Sequence, residues 1–177
     1  ESFYKNAWPI LKNNKIPFIL FVSTREVNKS GYMTWSQIKD IEKNDWVTIG
    51  NHSHSHDYLI DWNVDKIEAD LKESIKIFKN ELGHSPKIFS YPFGEYSSQL
   101  KNIVKNLEFK FAFGQHSGVI DPTKDPLELP RFPINEKYGE IKRFKSIIKT
   151  LPFPFEIITP QDRYLLDKNN PPEVKIK

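Results

Sequence analysis

The apolar residues of this chain switch repeatedly between helical and strand spacing. Residues 2–14 put Phe3, Ala7, Ile10 and Leu11 on one helical face, and Pro17 then opens an apolar run of strand length, 18–23. Thr34, with Gln37 three residues on, has the form of a capping box for a helix through Lys43. A short strand over 46–50 runs straight into a polar loop rich in histidine. Asn63 caps the longest amphipathic pattern, in which Val64, Ile67, Leu71, Ile75, Phe78 and Leu82 step by three and four until Gly83 ends the helix. A third strand over 87–91 stops at Pro92-Phe93-Gly94, and Ser97 or Ser98 caps a helix running to about Leu107. A fourth strand spans 109–113, a Gly-, Asp- and Pro-rich loop 114–126, and an extended stretch 127–134 is interrupted by Pro130 and Pro133. Residues 140–150 form a last helix. The Pro-rich tail from Leu151 wraps the surface or enters a further segment.

Alternating strands and helices predict an α/β fold on parallel strands. Such folds carry function in the loops at the C-terminal ends of the strands. Two polar clusters fall there, 52–56 and 91–94.

Composition narrows the classes. The 177 residues are 38% hydrophobic and 28% charged, a globular balance. No apolar run approaches the roughly 20 residues that cross a bilayer. The net charge of +3 is spread among alternating acids and bases, so nucleic acid is not an expected partner. With no cysteine there are no disulfides, thiolate ligands or Cys nucleophile.

The run Gly50-Asn51-His52-Ser53-His54-Ser55-His56-Asp57 holds three of the five histidines. Neutral imidazole is a good ligand for Zn²⁺. On a helical turn His52 and His56 share a face; in extended chain His52, His54 and His56 do. Spacing leaves both open, with a solvated His-rich loop as the plain alternative. A zinc-protease helix needs Glu after the first His, and Ser53 stands there. Catalytic zinc takes three protein ligands. Asp57, Asp61, His116 and Asp121 are candidates for the third, none selected by its spacing.

The stretch TIGNHSHSHDYL resembles the second motif of polysaccharide deacetylases, the NodB-homology domains of carbohydrate esterase family four. FSYPFGEYS resembles their third motif, a wall of the substrate groove, and NAWPILKNNKIPFILFV the helix and strand that follow their first. The likeness runs from Glu1 to about Asn135, and the segment LELPRFPIN is similar to the branch that deacetylates poly-N-acetylglucosamine exopolysaccharides.

The resemblance implies a deformed (β/α) barrel whose first strand is missing from this chain. Residues 1–150 would be a partial catalytic domain and 151–177 a Pro-rich extension of it. It implies a metal-dependent N-deacetylase, extracytoplasmic, with one divalent ion, zinc first, held by His52 and His56 and not by His54. The Phe93 N–H would bind the oxyanion, and Tyr91, Pro92 and Trp62 would meet the sugar. Three departures stand out. The family's aspartate pair, base and third ligand, is expected just ahead of Glu1. The usual Arg of the third motif is replaced near Ser90, and Arg131 is expected to orient the base instead. No late Leu-x-x-His motif, the source of a general acid, is recognisable. A non-catalytic carbohydrate-binding or scaffold domain on the same fold is the alternative. His84, beside a helix C-terminus, needs no functional role.

Overall fold

Five consecutive apolar residues make β1 (Phe18–Val22), which pairs in parallel along its whole length with β2 (Val47–Asn51), from Phe18 opposite Val47 to Val22 opposite Asn51. In the computed structural model, which describes residues 1–155, 158–160, 162 and 173–177, two shorter strands complete a parallel sheet. These are β3 (Ile88–Ser90) and β4 (Phe111–Phe113). Their order in space is their order in the chain. A doubly wound sheet reverses order at a switch point. This one does not, and sequential parallel order is that of a (β/α) barrel. The edge continues past β4 through a parallel bridge of Phe113 to Leu129. Pro130 lacks an N–H and cannot prolong it.

The caps act as their residue types dictate. Between β1 and β2, α2 (Trp35–Glu42) starts from a complete Thr34–Gln37 capping box. The crossover to β3 is α3 (Val64–Leu82), capped by Asn63 and ended by Gly83 at φ 80°. Ser97, not Ser98, caps α4 (Ser98–Asn106) by accepting from the Leu100 N–H. The first helix departs from expectation. It divides into a π-helical turn, Phe3–Ala7, and α1 (Trp8–Asn14). Pro9 supplies no N–H to the ladder there, which favours the wider turn. The last helix is shorter than expected, α5 (Ile141–Ile147). In the tail β5 (Ile158–Thr159) pairs with β6 (Lys175–Ile176). The extension expected over 151–177 falls partly on 156, 157, 161 and 163–172, which lie outside the described residues.

The core forms two clusters. One cluster centres on Trp8, Trp35, Ile38, Ile41 and Phe78. The other gathers Ile67, Leu71, Phe89, Leu100 and Val104. Helix α3 serves both, and its fully buried Leu71 and Phe78 each contribute about 2 kcal/mol over an exposed position. The same face buries Asp70 and Ser74, polar groups that need partners. Gly50 allows β2 to pass under Phe21, since a Cβ there would lie 2.5 Å from the ring. Among the described residues no helix is long and apolar enough to cross a membrane.

Candidate active site

The loop after β2 is folded by a chain of buried hydrogen bonds. Ser74 Oγ donates to the Leu71 carbonyl and accepts from Asn51 Nδ2 at 2.8 Å. Asn51 Oδ1 accepts from the Ser53 N–H, and Ser53 Oγ accepts from the His56 N–H at 2.9 Å. The Asp70 carboxylate receives the next two amides, His54 N–H at 2.9 Å and Ser55 N–H at 3.0 Å. From the other side the turn after β1 pairs with the loop. Thr24 N–H donates to Ser53 O, and Arg25 donates from its backbone to His54 O and from its guanidinium to Ser55 O. Ser53 and His56 adopt positive φ, 65° and 57°. Non-glycine residues hold that conformation only when their surroundings determine it. The result is neither an open helix turn nor an extended strand.

This geometry sorts the histidines. His52 and His56 rings lie 4.7 Å apart, edge to face. His54 turns away, with Nδ1 2.9 Å from Thr24 Oγ1. His52 Nδ1 is 2.7 Å from the Ser90 carbonyl oxygen, so Nδ1 carries the proton and Nε2 keeps its lone pair. Burial pulls the His52 pKa down to about 4, helped by the charges of His56 and Arg131 and opposed by the Ser90 bond. His52 is therefore neutral near pH 7, the form that binds a metal.

After β3, Pro92–Gly94 makes a single tight turn, with Phe93 at φ 57° and Gly94 at φ 77°. A Cβ on Gly94 would lie 2.1 Å from Gln115 Cβ, so this position needs glycine. The bonds of the turn run from Gly94 N–H to Tyr91 O and from Glu95 N–H to Pro92 O, and neither uses the Phe93 N–H. The Phe93 ring, half-exposed, stands 5.0 Å from His56 and 5.2 Å from Tyr58. Both loops thus sit on one rim, at the C-terminal ends of β2 and β3. A cleft of about 460 Å³ opens beside them, with Phe21, Val22, Arg25, Met33, His52 and His56 in its lining.

Two of the three expected sugar contacts are buried, and the third is partly so. Tyr91 is fully buried and donates its hydroxyl to Leu127 O, so it supports the turn from beneath. Pro92 is buried with it. Trp62 packs on the core cluster, with the Lys66 ammonium 3.6 Å over its ring. Arg131 lies near enough to His52 to affect its charge, and its Nε donates to Gly114 O at 2.7 Å. Asp57 faces Arg25 at 3.5 Å, Asp121 closes its own turn on Thr123, Asp61 ends a short 3-10 turn, and His116 lines a separate cleft. Among the described residues no three His, Cys, Asp or Glu side chains gather as a metal site. His84 pairs with Glu42 far from these loops, at 2.8 Å. Asn51, Asp70, Ser74, Tyr58 and Phe21 are additions. Asp70 and Ser74 had a readable signal, since they are polar residues at core-facing steps of an apolar helix stripe.

Comparison with known proteins identifies the family. A poly-beta-1,6-N-acetyl-D-glucosamine N-deacetylase of Staphylococcus aureus (strain MRSA252) is 27% identical over 159 residues, 81% of this chain and 55% of that protein. The chain therefore spans about half the length of the curated relatives it matches. A putative polysaccharide deacetylase, YxkH of Bacillus subtilis (strain 168), is 24% identical over 96 residues, 54% of this chain and 34% of that protein. Among solved structures, the Streptococcus pyogenes deacetylase PplD in complex with acetate superposes with a TM-score of 0.77 at 20% identity, covering 84% of this chain and 66% of that one. IcaB from Ammonifex degensii gives 0.73 at 23%, over 84% and 69%. Residues 1–112 match the polysaccharide deacetylase family model, and the chain belongs to that family.

Proposed function

We propose that this chain supplies the metal-binding and oxyanion-binding loops of an N-deacetylase acting on a β-linked N-acetylglucosamine polymer outside the cytoplasm. The observation that carries the reading is the His52–His56 pair, with His52 held as the Nδ1–H tautomer by Ser90 O. Two imidazoles facing each other suit a borderline ion, and zinc is the first choice. His52 and His56 would hold it, and when bound it lowers the pKa of a water and polarises the acetamide carbonyl.

The chain's own groups do the rest. The Phe93 N–H, left out of its turn's hydrogen bonds, would donate to the oxyanion as the carbonyl carbon becomes tetrahedral. A fixed donor at that point is worth about 3 kcal/mol. The Phe93 and Tyr58 rings wall the sugar. Water adds to the carbonyl carbon, the C–N bond breaks, and acetate and a protonated amine leave. The water's proton needs a base, which the family resemblance puts in an aspartate pair ahead of Glu1. Arg131 is assigned to orient that base. The match to the S. aureus N-deacetylase over 81% of the chain supports the polymer class.

The test is acetate release from β-1,6-linked N-acetylglucosamine oligomers by the protein with its natural upstream sequence. Turnover is expected to vanish with a chelator, return with Zn²⁺, and be lost in His52→Ala. Oligomer binding without turnover, in a protein that carries the aspartate pair, would establish the carbohydrate-binding alternative.

A further inference from the structure

A second cleft, of about 780 Å³, opens on the same rim between the loop after β4 and the tail. Its size is that of small-molecule sites. The side from α4 and the loop after β4 is mostly polar, with Ser98, Lys101, His116, Ser117, Asp125 and Glu128 beside Val119, Leu129 and Pro130. The other is apolar, formed by Pro152, Phe153, Phe155, Ile158 and Pro160. Phe153 is 68% exposed, and its ring lies roughly parallel to that of Phe155, 29° apart with centroids at 6.4 Å.

We infer that this cleft is a second saccharide subsite, which holds a neutral pyranose of the polymer one or more units from the sugar at the His52–His56 rim. The inference rests on the proposed polymer substrate. Three observations support it. A pyranose has an apolar C–H face and a polar hydroxyl edge, and the cleft has one wall for each. The cations of the lining are engaged, since Lys101 bridges Asp125 at 2.9 Å and Glu128. Lys124 is spent on the Phe155 ring and carbonyl. With both ammonium groups engaged the described lining offers no free cation to an anion, while its carboxylates and hydroxyls can accept from sugar hydroxyls.

The third observation is continuity with the rim. The loop 114–118 is a ridge shared by both sites. On one side Gln115 packs against Gly94, next to Phe93. On the other, His116, Ser117 and Gly118 line the cleft. Arg131 ties the ridge down, donating from its backbone N–H to His116 O and from Nε to Gly114 O. A polymer crossing this ridge would contact both sites. The aromatic wall belongs to the tail, so a binding role gives that Pro-rich segment a function.

The experiment is calorimetric titration of the full chain with β-1,6-linked N-acetylglucosamine dimer and hexamer. The hexamer is expected to bind about tenfold more tightly than the dimer, the gain of one ring stacked in a half-dry cleft. Phe153→Ala should reduce that advantage to less than about threefold without changing dimer affinity, and Phe153→Tyr should keep it. Phe153 is exposed, so the fold tolerates both changes. A hexamer bound no better than the dimer, or an advantage untouched by Phe153→Ala, overturns the subsite. In the protein with its natural upstream sequence, His52→Ala separates the two readings: the hexamer advantage should survive it while acetate release does not.

Discussion

His52 Nδ1 and the Ser90 carbonyl oxygen are 2.7 Å apart, a bond that joins the loop after β2 to the end of β3. It spans 38 residues of sequence and sets both the tautomer and the direction of the imidazole. Every role proposed for His52 depends on this contact.

The first prediction concerns pH. In the metal-free chain the folded pKa of His52 is pulled down to about 4 from 6.5, so the unfolded state binds the proton more tightly. This neutral-state preference is fully present above pH 6.5 and is lost as pH falls towards 4, a change of at most about 3 kcal/mol. Urea melts across pH 4–7 should show stability falling with acid, and His52→Gln should flatten that slope. Titration of His52 near 6.5 by NMR would refute it.

Asp70 should matter to both fold and site. Its carboxylate receives the His54 and Ser55 amides. Asp70→Ala leaves two buried N–H groups without an acceptor and should cost about 2–4 kcal/mol. The loop that aims His56 then loosens, so Zn²⁺ affinity should drop about tenfold or more, measured by chelator competition. Asp70→Asn, with one acceptor, is expected to fall between. Unchanged zinc affinity in both variants would limit Asp70 to a structural role.

Ser90 offers the opposite case. Its hydroxyl is buried without a hydrogen-bond partner among the described residues, while its backbone oxygen holds His52. Ser90→Ala removes the unsatisfied group and keeps the carbonyl. Stability should stay level or rise by up to about 1 kcal/mol, with zinc affinity unchanged. A loss greater than that would mean the hydroxyl has an important partner.

The 177-residue chain alone is expected to bind Zn²⁺ weakly and release no acetate. Two imidazoles give an incomplete ligand set, and among the described residues no third His, Cys, Asp or Glu joins them. Among the described residues β1 pairs with β2 alone. The protein with its upstream sequence should be active and more resistant to urea, since a further strand would cover that edge. Robust turnover by the chain alone would show that the expected aspartates are not needed.

Local chemistry made much of this protein legible from its sequence. Thr34–Gln37, Asn63, Gly83 and Ser97 name helix ends because a cap needs only a side chain and amides within one turn. The strands, their sequential α/β pattern and the two rim loops follow from periodicity, and the family from motif residues close together in sequence. Choosing between His54 and His56 was not a local matter. Spacing allowed a helical or an extended loop, and the structure uses neither, because Asp70, about two helical turns into α3, accepts the His54 and Ser55 amides, and Ser74, about three turns in, holds the Asn51 side chain that accepts from Ser53, in a loop with positive φ at Ser53 and His56. Tyr91 and Trp62 went the same way. An aromatic beside a motif reads as a sugar contact, yet Tyr91 is buried with its hydroxyl on Leu127 O, and Trp62 is partly buried with the Lys66 ammonium over its ring. Sequence by itself determined which elements form and which residue types line the rim, since those depend on neighbours along the chain. Only tertiary structure decided which side chains face into the site, because a ring's direction depends on hydrogen bonds and packing from residues tens of positions away.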